Sequence, residues 1–370
     1  MNTILYLNAT GEISGAERSL LAMLDALDRD RFRPVVAAPD GPLLREAAAR
    51  GVGVEQVALP PLRRPTGASD AVGTLSALQA GWQAVDGIVA HIRPDLVHAN
   101  STPAMLYALR IPYLPVIWHV RDLTPLGVVG KLLYRRAARV AVISSAVREA
   151  LGRYTRGNDK CLLMPPAVDT GQFHPHEDQA AIRAQLGLPA LPLIGMIAQF
   201  VTWKRHHLFL DALVELADSR WHAILAGADI HHDEAYCAGL RDRLARPPLA
   251  GRVTWLRWQD NPTLLMSALD ICALTSDHEP FGRVIIEAMA CGVPVVAIDD
   301  AGPRDIVIPG KTGLLCPANA GAIAGAIAQL LDDPYERKTL GNAARAHVID
   351  HFSVARQRQM LTNLYDQAIR

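Results

Sequence analysis

Short apolar runs alternate with amphipathic segments along the chain. The first run, Thr3–Asn8, passes through a polar turn that contains Gly11 and Gly15 into a helical pattern that reaches about Leu27. Apolar runs this short predict buried strands, and the segments between them predict helices. Because the same alternation restarts near Leu193, the chain is expected to form two doubly wound parallel sheets, each Rossmann-like.

The periodicity also gives expected bounds for the other elements. Strands are expected at 34–38, 54–59, 95–99, 114–120, 140–144, 193–198, 222–226, 253–256, 271–275 and 293–298. Helices are expected at 42–50, 70–92, 102–109, 127–138, 146–151, 206–217, 234–246, 262–269, 282–291, 320–331, 334–351 and 353–369. The Pro- and Arg-rich stretch Pro60–Ala68 is expected to be an irregular loop.

A chain of 370 residues exceeds the usual size of a single core, so two domains are expected. Met164–Pro175 contains three prolines and has no periodicity. We therefore place a linker at 167–175, between a domain at 1–166 and a second at 176–352.

Composition describes a globular protein with ample apolar area, since 50% of residues are hydrophobic and 20% are charged. No apolar run approaches the roughly 18 residues that a membrane span needs, and Met1-Asn2-Thr3 opens directly into a strand, so a cytoplasmic location is expected. The five cysteines form no C-x-x-C pair and are expected to be buried free thiols.

The net charge is zero, but the basic residues are unevenly distributed. Residues 1–170 carry 19 basic and 15 acidic side chains, and 121–160 alone carry nine and three. Such a basic face could rest on anionic lipid at the membrane or on an anionic acceptor, or it could simply be solvated. No nucleic-acid partner is expected.

The most informative stretch follows the strand expected at 271–275. Its loop, 276–281, carries Glu279, and Glu287 lies within the helix expected from Gly282. In a parallel sheet this loop lies at the carboxyl edge, where ligands bind, and a helix N-terminus favours an anion. A simpler reading remains open, in which Arg283 and Glu287 are a solvated i, i+4 ion pair and Glu279 is a surface acid.

Two further side chains follow expected strands. His119 ends a strand in W-H-V-R-D, and Lys204 lies in the loop Q-F-V-T-W-K-R after Leu193–Ala198. A lysine there is a good partner for a diphosphate, although exposed loop lysines are common. His119 is placed to touch a ligand, although it could also belong to the core.

The run E-P-F-G-R-V-I-I-E, followed by A-M-A-C-G-V-P-V-V-A, resembles the donor-sugar motif of glycosyltransferase family 4, which comprises retaining GT-B enzymes. The segments S-G-A-E-R, W-H-V-R-D and V-D-T-G-Q-F-H-P resemble further family motifs. The resemblance implies the GT-B fold, in which two Rossmann-like domains face each other across a cleft. It further implies an acceptor-binding first domain, a nucleotide-sugar-binding second domain and a C-terminal helix, 353–370, that packs back on the first.

The resemblance also implies roles for individual residues. Glu279 and His119 would hold the hydroxyls of the transferred sugar, and Lys204 would bind the diphosphate. Glu287 would bind the ribose. The donor site would be completed by Gly15, Gln199, Phe281, Gly282 and Arg283.

One departure from the family pattern concerns charge. The family usually carries G-R-x-x-x-x-K in the loop that contains Lys204, and here Gln199 stands at the arginine position. Gln199 can donate a hydrogen bond but has no charge. Donor affinity is therefore in question unless Arg205, Arg283 or Arg304 compensates.

No metal site is expected. His206-His207 and His231–Glu234 lack the i, i+4 spacing of a zinc-binding helix face, and the D-R-D run at Asp28–Asp30 lies away from any strand edge. The expected enzyme is a metal-independent, cofactor-free hexosyltransferase of envelope polysaccharide or glycolipid synthesis. Its expected partners are a nucleotide sugar and a sugar or glycolipid acceptor. The alternatives are a nucleotide-sugar epimerase of similar fold and a catalytically weak nucleotide-sugar-binding protein.

Overall fold

The structure, a computed structural model, describes residues 1–62, 68–152, 160–228, 233–257 and 262–369. The strands in that part of the chain are β1 (Asn2–Leu7), β2 (Phe32–Ala38), β3 (Gly53–Gln56), β4 (Leu96–Ala99), β5 (Val116–Val120), β6 (Arg139–Val142), β7 (Cys161–Leu163), β8 (Leu193–Ile197), β9 (His222–Gly227), β10 (Val253–Arg257), β11 (Ile271–Leu274), β12 (Val295–Ile298) and β13 (Gly313–Cys316).

The helices are α1 (Gly15–Ala26), α2 (Pro42–Ala49), α3 (Ala68–Ile92), α4 (Thr102–Tyr107), α5 (Gly127–Arg136), α6 (Ser145–Ala150), α7 (Gln179–Gln185), α8 (His206–Glu215), α9 (Glu234–Leu244), α10 (Pro262–Ala268), α11 (Arg283–Ala290), α12 (Pro303–Ile306), α13 (Ala320–Asp332), α14 (Pro334–Phe352) and α15 (Val354–Ile369). Short 3-10 turns lie at Ala108–Arg110 and Thr202–Lys204.

The chain divides into two compact units. Unit 1 comprises Met1–Ala167 with Val354–Arg370, and unit 2 comprises Val168–Ser353. Residues 168–175, which the sequence assigns to a linker, belong to unit 2, where Val168 and Phe173 are buried. The Val168 amide donates a hydrogen bond to the Phe352 carbonyl at 2.9 Å, which ties this segment to the end of α14.

Each unit is built on a parallel sheet of Rossmann type. The order is β3-β2-β1-β4-β5-β6-β7 in unit 1 and β10-β9-β8-β11-β12-β13 in unit 2. In unit 1, β1 lies between β2 and β4, and in unit 2, β8 lies between β9 and β11. In each sheet, later strands are thus added first on one side of the first strand and then on the other. The two-domain α/β prediction is therefore confirmed, and ligands of such sheets bind where the order reverses.

Each unit has its own apolar core. In unit 1 the core joins Tyr6, Leu20 and Phe32 with Leu361 and Leu364 of α15. In unit 2 the core includes Met196, Phe209, Leu213, Leu225 and Ile298. Because α15 follows unit 2 in the sequence, the core of unit 1 contains residues from both sides of unit 2 in the chain.

Several predicted bounds were wrong. The strand expected at 54–59 ends at Gln56, because its partner β2 ends at Ala38, which is the residue paired with Gln56. Val57 and Leu59 are buried but lie beyond the ladder. Four elements had no counterpart in the expected series: β7, α7, α12 and β13. Of the expected loop 60–68, residues 63–67 lie outside the described residues.

All five cysteines are buried and none of them is in a disulfide, as expected. Burial raises the pKa of the Cys272 thiol to about 12, so the unreactive neutral form is favoured. Among the described residues, no helix is long and apolar enough to span a membrane.

Candidate active site

The reversal point of unit 2 lies between β8 and β11, which are neighbours in the sheet. Lys204 follows β8 in a 3-10 turn, and Glu279 lies in the loop after β11. Parallel strands end at the same edge, so two loops that are 75 residues apart in sequence meet there.

Lys204 and Glu279 form an ion pair at this point. The Lys204 Nζ lies 2.5 Å from Glu279 Oε2, and their side chains are only 13% and 10% exposed. The same ammonium lies 3.9 Å from the centre of the Trp203 ring. A buried carboxylate and ammonium each need a partner, so this pair holds both side chains in place.

Backbone contacts join the two loops independently of this pair. The Thr275 hydroxyl lies 3.2 Å from the Lys204 carbonyl and 3.1 Å from the Arg205 carbonyl. The Asp277 amide donates to the Trp203 carbonyl at 2.7 Å. The position of Lys204 is therefore fixed through its backbone as well as through its side chain.

The loop that carries Glu279 is held from its other side by Gly302, whose amide donates to the Glu279 carbonyl at 2.9 Å. A Cβ at Gly302 would lie 2.3 Å from the backbone Cα of Phe281, so only glycine allows this approach. Gly282, expected inside the helix, precedes it instead. It has a φ of 98°, a left-handed conformation that ends the loop, and α11 begins at Arg283.

Arg283 and Glu287 form an i, i+4 ion pair at 3.0 Å on α11. The ion pair that the i, i+4 spacing predicts is therefore present in the structure. Their side chains are only 22% and 16% exposed, so the pair is partly buried rather than fully solvated.

The three arginines named above as compensation for the uncharged Gln199 each pair with a carboxylate. Arg205 pairs with Asp277 at 2.5 Å, and Arg304 pairs with Asp299 at 2.8 Å. Arg283 pairs with Glu287. Gln199 itself is half-buried directly after β8, and its carbonyl accepts a hydrogen bond from the Val201 amide.

In unit 1 the reversal point lies between β1 and β4. Asn8 and Asn100 follow these strands and are hydrogen-bonded to each other at 2.8 Å. Asn8 also donates to Glu17, which accepts from the Ser14 amide and hydroxyl at the start of α1. This network fixes the loop that leads to Gly15. A Cβ at Gly15 would meet nothing within 4 Å, so packing in the structure does not require glycine there.

His119 is the fourth residue of β5 and is 1% exposed. Its Nδ1 lies 3.1 Å from His98 Nε2 and 3.2 Å from Arg121 Nη2. Burial, aided by the charge of Arg121, lowers the pKa of His119 well below its ordinary value. The Met164 backbone acts in the opposite direction and raises this pKa.

The absence of a metal site stays a prediction, and one group of potential ligands lies in unit 2. Among the described residues, Asp277, His278 and Asp300 form a group whose ligand atoms lie within 4.8 Å of one another. Asp277 is paired with Arg205, and the Asp300 carboxylate lies 2.7 Å from His278 Nδ1.

Of His231–Glu234, residues 231 and 232 lie outside the described residues. His206 is fully buried, and its ring packs against that of Phe200 at a centroid distance of 4.9 Å.

The structure thus brings Lys204 and Glu279 into contact, and it places Gln199, Phe281, Gly282, Arg283 and Glu287 in the same unit. His119 and Gly15 belong to unit 1. Ser276 was not among the predicted site residues. Its hydroxyl is buried in the loop after β11 and has no hydrogen-bond partner among the described residues. Its position at the end of an apolar run is the signal that could have found it.

Two family models match the chain. The model described as "Glycosyl transferases group 1" matches residues 178–347, and "Glycosyltransferase Family 4" matches residues 13–172. The chain belongs to glycosyltransferase family 4. The two matches fall in the two structural units, so the family assignment covers both halves of this glycosyltransferase.

Curated relatives of the glycosyltransferase include enzymes named for lipopolysaccharide and mannosyl transfer. The lipopolysaccharide core biosynthesis mannosyltransferase LpsB of Rhizobium meliloti is 27% identical over 281 residues, which are 69% of this chain and 80% of LpsB. A GDP-mannose-dependent alpha-mannosyltransferase of Mycobacterium tuberculosis is 26% identical over 364 residues, which are 91% of this chain and 89% of that protein.

Solved structures share the GT-B fold of this glycosyltransferase. Anabaena HepE in complex with UDP and glucose has a TM-score of 0.84 and 27% sequence identity, and the match covers 99% of this chain and 100% of HepE. HepE has also been solved with UDP-glucose. Sucrose-phosphate synthase of Thermosynechococcus elongatus has a TM-score of 0.84 at 22% identity and supports the fold alone.

Proposed function

We propose that the protein is a retaining glycosyltransferase that moves a sugar from a nucleoside-diphosphate sugar to an acceptor. The observation that carries the proposal is the buried Lys204–Glu279 pair at the reversal point of unit 2, where α/β sheets bind their ligands. The related HepE structures, which contain UDP and UDP-glucose, support a nucleotide-sugar donor.

In this proposal Lys204 is the main electrostatic group. Cleavage of the donor places negative charge on the departing diphosphate, and the ammonium is already fixed beside that position by Glu279 and by the backbone of its turn. A preorganised donor of this kind contributes on the order of 3 kcal/mol to transition-state stabilisation. Ser276, with its unpartnered buried hydroxyl, offers a further hydrogen bond to the ligand.

The remaining roles follow the family resemblance. Glu279 and His119 would bind sugar hydroxyls, and Glu287 would bind the ribose while its pair with Arg283 holds its rotamer. The backbone of Phe281–Gly282 would bind the sugar, and the loop that contains Gly15 would lie between the acceptor and the donor diphosphate. Since Glu279 and Glu287 are each paired with a cation, neither is placed as a nucleophile, so within a retaining mechanism front-face attack is favoured over double displacement.

The names of the relatives favour an acceptor in envelope polysaccharide or glycolipid synthesis. One surface of unit 1 agrees with a membrane-bound acceptor. Helix α5 buries Gly130, Leu133 and Tyr134, whereas its outer face exposes apolar side chains. Those exposed residues are Val128 at 84%, Val129 at 46% and Leu132 at 52%.

Basic residues share this outer face. Lys131 and Arg135 are exposed one turn apart on α5, and a cavity of about 240 Å³ adjoins the start of the helix. Its lining is Pro125, Leu126, Gly127, Gly130, Ala150, Leu151 and Gly152. Apolar residues flanked by lysine and arginine match an anionic bilayer surface, and each basic side chain near such a surface contributes about 1 kcal/mol. We therefore propose that α5 rests on anionic lipid.

Vesicle sedimentation tests this contact. Replacing Val128 and Leu132 by Ser should abolish binding to vesicles that contain phosphatidylglycerol. The matched control replaces Val72 and Leu75 of α3, which are 67% and 52% exposed, and should leave binding intact. Equal loss in both variants, or equal binding of the native protein to pure phosphatidylcholine, would remove the support for α5.

The activity is tested by screening donors. UDP-glucose and GDP-mannose are first compared by thermal shift, because a ligand at 100 times its dissociation constant adds about 2.7 kcal/mol. The best donor is then incubated with lipid-extract acceptors, and the anomeric configuration of the product is read by NMR. Conversion of the nucleotide sugar without acceptor would indicate an epimerase, and binding without transfer would indicate a binding protein. An inverted product would contradict retention.

A further inference from the structure

A chain of buried hydrogen bonds runs from α15 to His119 within unit 1. The Tyr365 hydroxyl on α15 lies 2.9 Å from His98 Nδ1, and His98 Nε2 lies 3.1 Å from His119 Nδ1. The Tyr6 hydroxyl of β1 lies 2.7 Å from that of Tyr365. All four side chains are at most 1% exposed, so water does not substitute for any of these bonds.

Arg121 favours one direction for the hydrogen bonds of this chain. Its guanidinium donates to Asn100 Oδ1 and to the Ser19 hydroxyl, and its Nη2 also lies 3.2 Å from His119 Nδ1. A guanidinium has donors and no acceptor. An N–H on His119 Nδ1 would therefore face a cation, so Nδ1 is the acceptor nitrogen of this ring.

The remaining protons follow from this step. His98 Nε2 carries a proton and donates it to His119 Nδ1, which leaves His98 Nδ1 as an acceptor. Tyr365 must then donate to His98, and its oxygen accepts from Tyr6. Burial lowers the pKa of His98 to about 3, which agrees with a ring that carries a single proton.

The end of the chain is His119 Nε2, which carries the ring's proton. This nitrogen is buried, and none of the residues that the structure describes lies in hydrogen-bonding geometry to it. The nearby Met164 carbonyl also favours an N–H on the ring. Nε2 is consequently a donor that is ready for an oxygen atom of a ligand.

We propose that Tyr365 is a positioning residue that acts through His98 to hold His119 in the tautomer with its proton on Nε2. The role of that proton, donation to an oxygen of the transferred sugar, rests on the proposed function. The arrangement makes the last helix of the chain a determinant of donor recognition, although α15 contributes no residue to the ligand site proposed above.

The test is the tautomer itself, measured on the full-length protein by histidine ¹⁵N NMR with no ligand present. Comparison with His119→Gln and His98→Gln assigns the two rings. Both rings are expected in the Nε2–H form in the native protein. A His119 ring protonated on Nδ1, or doubly protonated near pH 7, would overturn the proposal.

Tyr365→Phe keeps the ring but removes the hydroxyl that donates to His98, so the His98 ring should lose its single tautomer. The Nε2–H form of His119 should then fall from full to partial occupancy, because Arg121 alone opposes a proton on its Nδ1. Tyr6→Phe is the matched control, because it removes an equally buried hydroxyl from the same chain yet leaves the Tyr365–His98 bond in place. A purely structural role would lower stability in both variants and shift the tautomer in neither, or in both equally. Either result would contradict the positioning role.

Activity provides a second readout. With the donor found by screening, Tyr365→Phe should lower kcat/KM about two- to tenfold, which corresponds to one lost hydrogen bond. The affinity for UDP or GDP, which lack the sugar, should not change. Absence of transfer in the native protein would refute the proposed function and leave the NMR result to decide the tautomer.

Discussion

Lys204 and Glu279 stabilise each other, so replacing either one has two separate effects. Lys204→Met should lower transfer about 10²- to 10³-fold through loss of a preorganised cation. It should also lower the free energy of unfolding by about 3 kcal/mol, because it leaves Glu279 buried without its cation.

The double variant Lys204→Met with Glu279→Gln separates these effects. It should recover most of the stability, measured by chemical denaturation, and none of the transfer. Lys338→Met, at an exposed lysine of α14, serves as the control and should change neither quantity. Recovery of transfer in the double variant would mean that Lys204 acts only by pairing with Glu279.

His98 gives unit 1 a defined response to acid. Its pKa is about 3 in the folded protein, whereas an unfolded histidine titrates near 6.5. The unfolded chain therefore binds more protons below pH 6.5, and stability falls as the pH falls. This histidine alone should remove about 2 kcal/mol between pH 7.5 and pH 5. In His98→Gln the pH dependence of the unfolding free energy should be smaller by that amount, and an unchanged slope would contradict the assignment.

At the scale of elements, the loop between β11 and α11 depends on the glycine that follows β12. Gly302→Ala would place a methyl group 2.3 Å from the Phe281 backbone, so the loop that carries Glu279 must move. A displacement of about 1 Å at a reacting centre can lower the rate about 10²-fold, and we expect a loss of that size in kcat/KM.

Gly325→Ala is the matched control for this change. Gly325 lies inside α13, and a Cβ there would meet nothing within 4 Å. Alanine should raise stability by about 0.5 to 1 kcal/mol without changing transfer. Equal activity of the Gly302 and Gly325 variants would show that the loop tolerates the shift.

The sequence predicted those elements that bury a continuous apolar run. β8, β11 and β12 are buried throughout, so their strands were visible. β7 and β13 are only partly buried, and each pairs with a single neighbouring strand, β6 or β12. Local pattern carries no information about that neighbour, so both strands were missed.

The candidate site divides in the same way. Lys204 and Glu279 were predicted because each follows a recognisable strand. The bond between His98 and Tyr365 joins residues 267 positions apart, and the helical period marks Tyr365 only as a core residue. Such contacts depend on where α15 packs, which periodicity does not determine.

At the scale of the whole molecule, the C-terminal helix should control the stability of the first unit. Leu364 is 1% exposed and lies in the core of unit 1, so Leu364→Ala should destabilise that unit by about 2 to 5 kcal/mol. Unit 2 has its own core and should be unaffected. Hydrogen exchange followed by mass spectrometry distinguishes the units, because faster exchange is expected in β1, β2 and β4 but not in β8, β9 and β11.

The neighbouring, exposed Asn363→Ala is the control and should change neither set. Since α15 also carries Tyr365, a protein whose first unit opens more often should lose transfer as well, in proportion to the opening. Equal loss of protection in both units would instead show that the chain unfolds as one cooperative body.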